Sequence, residues 1–508
     1  MPSVADLIFI ALLGVLAFTP ISVKLLGDAG IGWHICTGQQ IIATHEIPRV
    51  DSFSSQIQQP WFAWEWLYDV AVGQLESWCG LNGVVWITAV VIAMVFAGTF
   101  RLALTRGTNL LFALGLTLLA LSASMIHFLT RPHVLSWLFA LAWVWILDVN
   151  ERKGQQSQPA RWLWMLPLSM LLWVNVHGGF VLGFVLMGIY WLGSLWTWIS
   201  KRETSLEDSL EKIAAAQRVR QLSGVGILSI AASFINPYGW KLHTHIYGYL
   251  TNRFLMDHIE EFQSPNFHGI APRCFLALLL IAIAVVAVRG GKLRLSEILV
   301  ILFAVYAGLY ASRNIPVSSI LLVLVVGPWL PSLESWNFVQ RMTAVDSRLR
   351  GHLWPVFATA VVIFIGANGG RVGSALLMNA HFDSQRMPVE AVNFIERSEI
   401  KAPLLSPDYW GGYLIYRLYP RNRVVIDDRH DFYGESFLRS YLTMMRAEPG
   451  WDEFLKEHQI SCLMLPRKAA LATLLSETPE WKPIYFDDVA IVFVRADQKE
   501  DTDRAARR

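Results

Sequence analysis

Up to residue 369 the chain is a series of long apolar runs, and beyond it apolar and polar positions alternate in short blocks. A bilayer core takes roughly 20 apolar residues per helix. Eleven runs approach that length: 4–26, 82–103, 109–128, 132–149, 161–176, 179–199, 222–236, 273–289, 295–311, 315–331 and 353–369. The runs 161–176 and 222–236 are the shortest. The first opens MPSVADLIF, with neither a basic leader nor a small-residue cleavage site, and reads as an uncleaved first helix. From about residue 380, PVEAVNFIERSE reads as a helix, APLLSP as a strand and WGGYLIYRLY as a turn into a helix. RVVIDD reads as a strand, FYGESFLRSYLTMM and GWDEFLKEH as helices, ISCLMLP as a strand, KAALATLLSE as a helix, and WKPIYFDDVAIVFVRA as a hairpin. Such alternation builds a small α/β sheet. The predicted fold is an α-helical polytopic membrane protein of about eleven spans with a small C-terminal α/β domain. Its predicted division is a membrane domain over 1–369, a soluble domain over 380–497 and a disordered charged tail over 498–508.

Composition sharpens this picture. Of 508 residues, 54% are hydrophobic and 16% charged, against about 25% charged in a soluble domain. The net charge of +2 excludes nucleic-acid binding driven by bulk charge, and the apolar content excludes disorder. Residues 1–369 carry 42 charged side chains and residues 370–508 carry 40. Loops alternate between two sides, and one set holds 16 Lys and Arg against seven in the other. The basic set is expected to be cytoplasmic. That puts the N-terminus inside and residues 27–81 and 370–508 outside, in the inner membrane of a cell envelope. The cytoplasmic loops, such as RKGQQSQPAR and RGGKLR, look bland, whereas the outer loops hold most of the His, Gly-Gly and lone carboxylates. Chemistry gathered on one face suggests a site there.

The first outer loop predicts two amphipathic helices, about 31–44 and 61–78, lying on the membrane surface. Glu65, Asp69 and Glu76 share one helical face, most simply a solvated one. Asp28 follows a membrane helix directly, where partial desolvation raises the basicity of a carboxylate. It could equally cap the helix that starts near residue 31.

In HFLTRPH, Arg131 at a membrane surface needs an anion such as a lipid phosphate, or it snorkels to the head groups. WVNVHGG places Asn175 and His177 in a tight turn, IEEFQSP supplies Glu260 and Glu261, and SRNIP puts Arg313 at a helix end. No recognised zinc pattern surrounds His243 and His245, and no Gly-rich phosphate loop follows a strand, so a cytosolic nucleotide substrate is not expected. Cys36 and Cys79 share the outer loop, but nothing in their spacing demands a disulfide. At the end of RVVIDD stand Asp427, Asp428, Arg429, His430, Asp431 and Tyr433, either a ligand site at a strand end or a salt-linked structural loop.

These motifs carry a resemblance. Trp33-His34 with Gly38, the RPH, WxNxHG, NPxG and SRN motifs, and Trp410–Leu414 followed by Val425 to Gly434 resemble a bacterial group within the GT-C superfamily of integral-membrane glycosyltransferases. The group carries WH…G and WGGYL…IDGR…YG motifs. The resemblance implies transfer of a hexosyl or pentosyl unit from a polyprenyl-phosphate sugar lipid to a glycan, lipid or protein acceptor. An acid after the first membrane helix is the superfamily's hallmark and maps onto Asp28. No cofactor is certain, though a divalent metal is compatible with the superfamily. Two departures stand out. The related pattern reads DxDxWWH, and Gly30 replaces its second acid, which weakens a metal-binding reading. IDGR is IDDR here, with Asp428 in place of Gly.

On the enzyme reading, Asp28 is the candidate base. Arg131, His133 and Arg313 meet the departing phosphate, and His34, Asn175, His177, Glu260 and Glu261 complete substrate binding. The alternative is a non-catalytic lipid-linked glycan translocator or an envelope-assembly scaffold that uses the same basic residues. A translocator needs a polar path at mid-membrane, and the runs 4–26, 82–103 and 353–369 offer almost none.

Overall fold

The computed structural model describes residues 1–55, 60–153, 161–331, 337–349, 351–398 and 400–496. The tail read as disordered, 498–508, and most of the loop RKGQQSQPAR lie outside the described residues. The chain is a polytopic helical membrane protein with a small C-terminal domain that contains a β-sheet. Each of the eleven predicted runs falls on a helix. Among the described residues, six helices are long and apolar enough to cross a bilayer: Leu81–Thr105, Leu110–His127, His133–Arg152, Gly178–Ser200, Ile270–Lys292 and Ser312–Trp329. A seventh is counted if Phe338–Arg348 and Leu353–Ala367, bent by 65°, form one span. Val4–Phe18 and Leu295–Tyr310 are shorter apolar helices. The first predicted run is interrupted at Thr19 and Pro20, and a second helix follows over Ile21–Leu25. The run 222–236 is the apolar end of helix Leu206–Ser233, whose first half is charged.

The chain forms two compact units. The first comprises Met1–Ala17, Trp86–Phe128 and Pro132–Phe364; the second comprises Phe18–Val85, Leu129–Arg131 and Ile365–Arg508. This partition differs from the sequence division at 369, because the first polar loop groups with the C-terminal block.

In the first unit, helix Ile315–Val326 is buried along its whole length and packs against Leu110–Ser124, Leu295–Tyr310 and Ile270–Arg289. Helix ends hold a buried ionic network that the bland loop sequences conceal. Arg106 lies 3.0 Å from Asp148 and 3.9 Å from Glu297, Arg152 reaches Asp148 at 2.9 Å, and Ser296 donates to Glu151 at 2.7 Å. The charges of this network thus have partners of opposite sign, Glu151 through Arg294 at 3.6 Å, which offsets their desolvation.

In the second unit, helices Ile31–Thr44 and Trp66–Cys79 match the two predicted amphipathic stretches and pack on each other. The four-stranded sheet runs in the order Leu404–Leu405, Cys462–Pro466, Ala490–Arg495, Trp481–Phe486. Its last two members are the predicted hairpin, paired antiparallel. RVVIDD is not a regular strand; Val424 makes isolated parallel bridges to Leu404 on one side and Ser54 on the other. Val424 N–H donates to Phe53 O at 3.1 Å and Ser55 N–H to Val424 O at 2.8 Å, so the first loop extends the sheet edge. The WGG segment is already helical, within Asp408–Leu418, and this helix packs on Ile31–Thr44. A Cβ at Gly412 would sit 2.3 Å from the Ala29 carbonyl oxygen and 2.9 Å from Gly30 Cα, so the contact needs a bare backbone. Gly412→Ala is expected to lose about 1–3 kcal/mol through overpacking. Thermal unfolding of the purified protein measures this, and an unchanged midpoint would contradict the close approach.

Candidate functional site

The second unit gathers acids around two arginines. After helix Ile21–Leu25 the chain turns at Asp28, whose Oδ1 accepts the Gly30 N–H at 2.8 Å in a local side-chain turn. Helix Ile31–Thr44 then begins, with Gly30 rather than Asp28 in the capping position. Asp28 therefore shapes the turn before the helix without being its cap. Thr130 donates twice to Leu25 O, at 2.9 Å from its N–H and 3.1 Å from its hydroxyl, which pins the Arg131 backbone beside that turn. Arg131 Nη2 donates to Asp28 Oδ1 at 2.5 Å and also to Asp428 Oδ2. The other oxygen of Asp428 accepts from Trp33 Nε1 at 3.0 Å. The side chains of Asp28, Arg131 and Asp428 are 31%, 22% and 14% exposed, so the cluster is partly desolvated yet reachable. Burial pushes the Asp428 carboxyl up to about 6, with Asp28 and Asp427 adding to the rise and Arg131 opposing it. Such a carboxylate is a better proton acceptor near neutral pH than an ordinary one.

Gly30 has a steric role here. A Cβ at this position would lie 2.3 Å from Arg131 Nη2 and 2.5 Å from Asp428 Oδ2. The guanidinium bridge and a side chain at residue 30 exclude one another.

Asp427 and Arg429 face inward. Arg429 Nε and Nη2 fork onto Asp427 at 2.8 and 2.6 Å, and Nη1 reaches Asp51 at 2.7 Å. Its guanidinium carbon is 4.7 Å from the centre of the Trp61 ring. Of the strand-end acids, then, Asp427 is structural and Asp428 faces the reachable cluster. His430 Nε2 pairs with Asp408 at 2.7 Å; burial would lower this imidazole, but the Asp408 hydrogen bond and charge carry it up.

His34 is 1% exposed, stacks on Trp33 at 3.6 Å and pairs through Nδ1 with Asp69 at 2.6 Å. It supports the Trp33 side of the cluster from beneath. The expectation of a solvated Glu65–Asp69–Glu76 face is corrected: Asp69 is fully buried and Glu65 nearly so. Glu76 meets Gln39 at 2.6 Å and Tyr416 at 2.9 Å. The face turns inward because helix Ile31–Thr44 and the C-terminal block cover it. Burial, reinforced by Glu65, pushes the Asp69 carboxyl well up. The four cysteines are free.

The first unit holds the remaining candidates. Arg313 Nη1 meets Glu261 at 2.9 Å, its guanidinium lies 5.3 Å from the Phe262 ring centre, and Nη2 is 3.4 Å from His177 Nε2. His177 Nδ1 contacts Ser136 Oγ at 2.8 Å, which accepts from Trp173 Nε1 at 2.7 Å. His133 Nε2 reaches the His127 carbonyl at 3.0 Å. Asn175 donates to Leu171 O and Ile235 O, both at 2.9 Å, which ties helix ends together. Glu260 is exposed. Among the described residues, no group of three or more His, Cys, Asp or Glu converges as a metal site.

No protein-family model matches the sequence, and no curated protein does. Solved structures do match. The archaeal oligosaccharyltransferase AglB from Archaeoglobus fulgidus, in complex with an inhibitory peptide and a dolichol-phosphate, aligns over 91% of this chain and 69% of its own with a TM-score of 0.53 at 9% identity. The likeness is one of fold. Also similar are the Archaeoglobus fulgidus oligosaccharyltransferase with Zn and sulfate and ArnT from Cupriavidus metallidurans bound to undecaprenyl phosphate. The first has 10% identity, 91% and 68% coverage and a TM-score of 0.49. The second has 13% identity, 96% coverage of both chains and a TM-score of 0.45.

Asp428 joins the candidate cluster although the motifs that nominate Asp28 and Arg131 do not include it. Its signal was there, in the IDDR departure from IDGR. What the sequence could not give was its pairing with Arg131, 297 positions away.

Proposed function

We propose that this protein is a membrane glycosyltransferase that moves a sugar from a polyprenyl-phosphate donor to an acceptor hydroxyl on the extracytoplasmic face. The observation that carries the reading is the reachable Asp28–Arg131–Asp428 cluster in a GT-C-like fold. In the proposed reaction Asp28 accepts the acceptor's proton as its oxygen bonds to the anomeric carbon. The bond from that carbon to the phosphate oxygen breaks, and the departing phosphate takes up the electron pair. Arg131 supplies fixed positive charge beside the reacting groups, in a partly desolvated setting where it counts for more than in water. Asp428 accepts from the same guanidinium nitrogen, Nη2, and helps hold it in place. In its own unit, the Arg313–Glu261–His177 cluster has the chemistry to bind a phosphate or a sugar hydroxyl.

The deciding experiment is mass spectrometry of lipid-linked and surface glycans from cells with and without the gene. Loss of one glycan with build-up of its sugar-charged carrier supports transfer. An unchanged carrier pool with glycan trapped on one membrane face supports the translocator instead.

The basic-residue asymmetry, 16 against seven, supports an inner-membrane protein with its N-terminus in the cytoplasm and its C-terminal domain outside. A reporter that is active only outside the cytoplasm, fused after residue 497, is expected to be active. Activity from a cytoplasm-only reporter at that position would reverse the orientation and remove the proposed cluster from the outer face.

A further inference from the structure

We infer that the Arg131 guanidinium occupies the position between the Asp28 and Asp428 carboxylates that a divalent cation takes in a two-carboxylate site, so that the cluster operates without a bound metal. One nitrogen, Nη2, hydrogen-bonds both acids, at 2.5 Å to Asp28 Oδ1 and also to Asp428 Oδ2. A magnesium or manganese ion bridging the same two oxygens would sit about 2.0–2.2 Å from each, in space this nitrogen fills. The wider donor set does not fit a metal either. The second oxygen of Asp428 is taken by Trp33 Nε1 at 3.0 Å, and His34 is turned to Asp69 at 2.6 Å. Residue 30 cannot contribute a ligand, because any Cβ there would collide with Nη2 at 2.3 Å and with Asp428 Oδ2 at 2.5 Å. Gly30 and Arg131 thus belong together: the missing side chain makes room for the guanidinium.

The exchange has a chemical consequence. Two carboxylates and one guanidinium sum to −1, whereas the same acids with a divalent ion sum to zero. The arginine also cannot leave with product, as a phosphate-bound ion can. The catalytic meaning rests on the transferase reading, but the occupancy of the position does not.

Manganese binding to the full-length protein in nanodiscs tests this, read by calorimetry and by the loss of the free-ion electron paramagnetic resonance signal. Wild-type protein is expected to show no saturable site. Arg131→Ala vacates the position and leaves two unpaired acids, so it is expected to bind one manganese per chain. Adding Asp428→Asn should abolish that gain. If Arg131→Ala does not fold, Arg131→Gln asks the same question with more of the side-chain volume kept. Arg131→Lys should stay metal-free, because its ammonium supplies a point charge at the same place. Saturable manganese binding by the wild type that Asp28→Asn or Asp428→Asn removes would overturn the inference. So would a folded Arg131→Ala or Arg131→Gln protein that gains no site. These outcomes are independent of sugar transfer, so a protein inactive on every polyprenyl donor would sink the transferase reading and leave this one standing.

Discussion

Asp28→Asn is expected to slow sugar transfer by roughly 10²–10⁴-fold, the usual contribution of a positioned proton acceptor, with the protein still folded and still binding its lipid donor. The amide is nearly isosteric, and its carbonyl oxygen can still accept the Gly30 N–H that Asp28 Oδ1 accepts at 2.8 Å. The turn into helix Ile31–Thr44 therefore survives, while the negative charge facing Arg131 at 2.5 Å is lost. If Asp28 only shapes that turn, Asn is nearly silent and Ala costs about 0.5–1.5 kcal/mol, the net worth of one hydrogen bond. Single-turnover transfer and donor binding, measured separately, distinguish the two roles. Full transfer activity in Asp28→Asn would make the residue structural and send the search for the base to Asp428, Glu65 or Glu260. A pH profile adds a second test. The Asp428 carboxyl lies at about 6, so wild-type activity should fall as pH drops through that value and the protonated acid stops pairing with Arg131. Asp28 is one of the charges that raise it, so residual activity in Asp28→Asn should persist to lower pH.

What the sequence made legible follows from the range of the interactions involved. Apolar runs and short alternating blocks are set by residues within a turn or two of each other. Helix Ile31–Thr44, the hairpin Trp481–Phe486 with Ala490–Arg495, and the helices between them could therefore be read directly. Asp28 and Arg131 were separately legible as polar residues at apolar helix ends. Their partnership was not, because 103 residues divide them and neither neighbourhood encodes the other. The same holds for the sheet edge, where Val424 pairs with Ser54 of a loop more than three hundred residues earlier. Asp69 shows the opposite error. Its spacing with Glu65 and Glu76 correctly put all three on one face, but helical periodicity says nothing about what covers that face. The buried Arg106–Asp148–Glu297 network escaped notice because each residue looks unremarkable at its own helix end.

Arg429→Met is expected to destabilise the second unit by about 3–5 kcal/mol, the range for removing one member of a buried ion group. Arg429 is 4% exposed and is the countercharge for two acids: Asp427, with no exposure, and Asp51, with 1%. Methionine fills much of the volume but leaves both carboxylates buried without it. Asp51 gives the loss a pH signature. In the wild type, burial pushes this carboxyl up, yet the charge and hydrogen bond of Arg429 together with hydrogen bonds from Ser54 outweigh it and hold the group below its ordinary value. A depressed carboxyl contributes stability that is full above its unfolded value of about 4 and is lost as pH falls toward the folded value. Without Arg429 the two foremost lowering contributions are gone, the folded value rises, and the stability that the depressed carboxyl supplies above its unfolded value is lost. The gap between wild type and Arg429→Met should therefore be wider at pH 8 than at pH 4, as read from unfolding midpoints of the purified proteins. Arg429→Lys should fall between them, since an ammonium keeps the charge but cannot fork onto Asp427 at 2.8 and 2.6 Å while also reaching Asp51. An equal loss at both pH values would contradict the electrostatic account. It would assign the stabilisation to guanidinium packing against the rings of Trp33, Phe53, Trp61 and Phe432, whose centres lie 4.7–5.7 Å from the Arg429 guanidinium carbon.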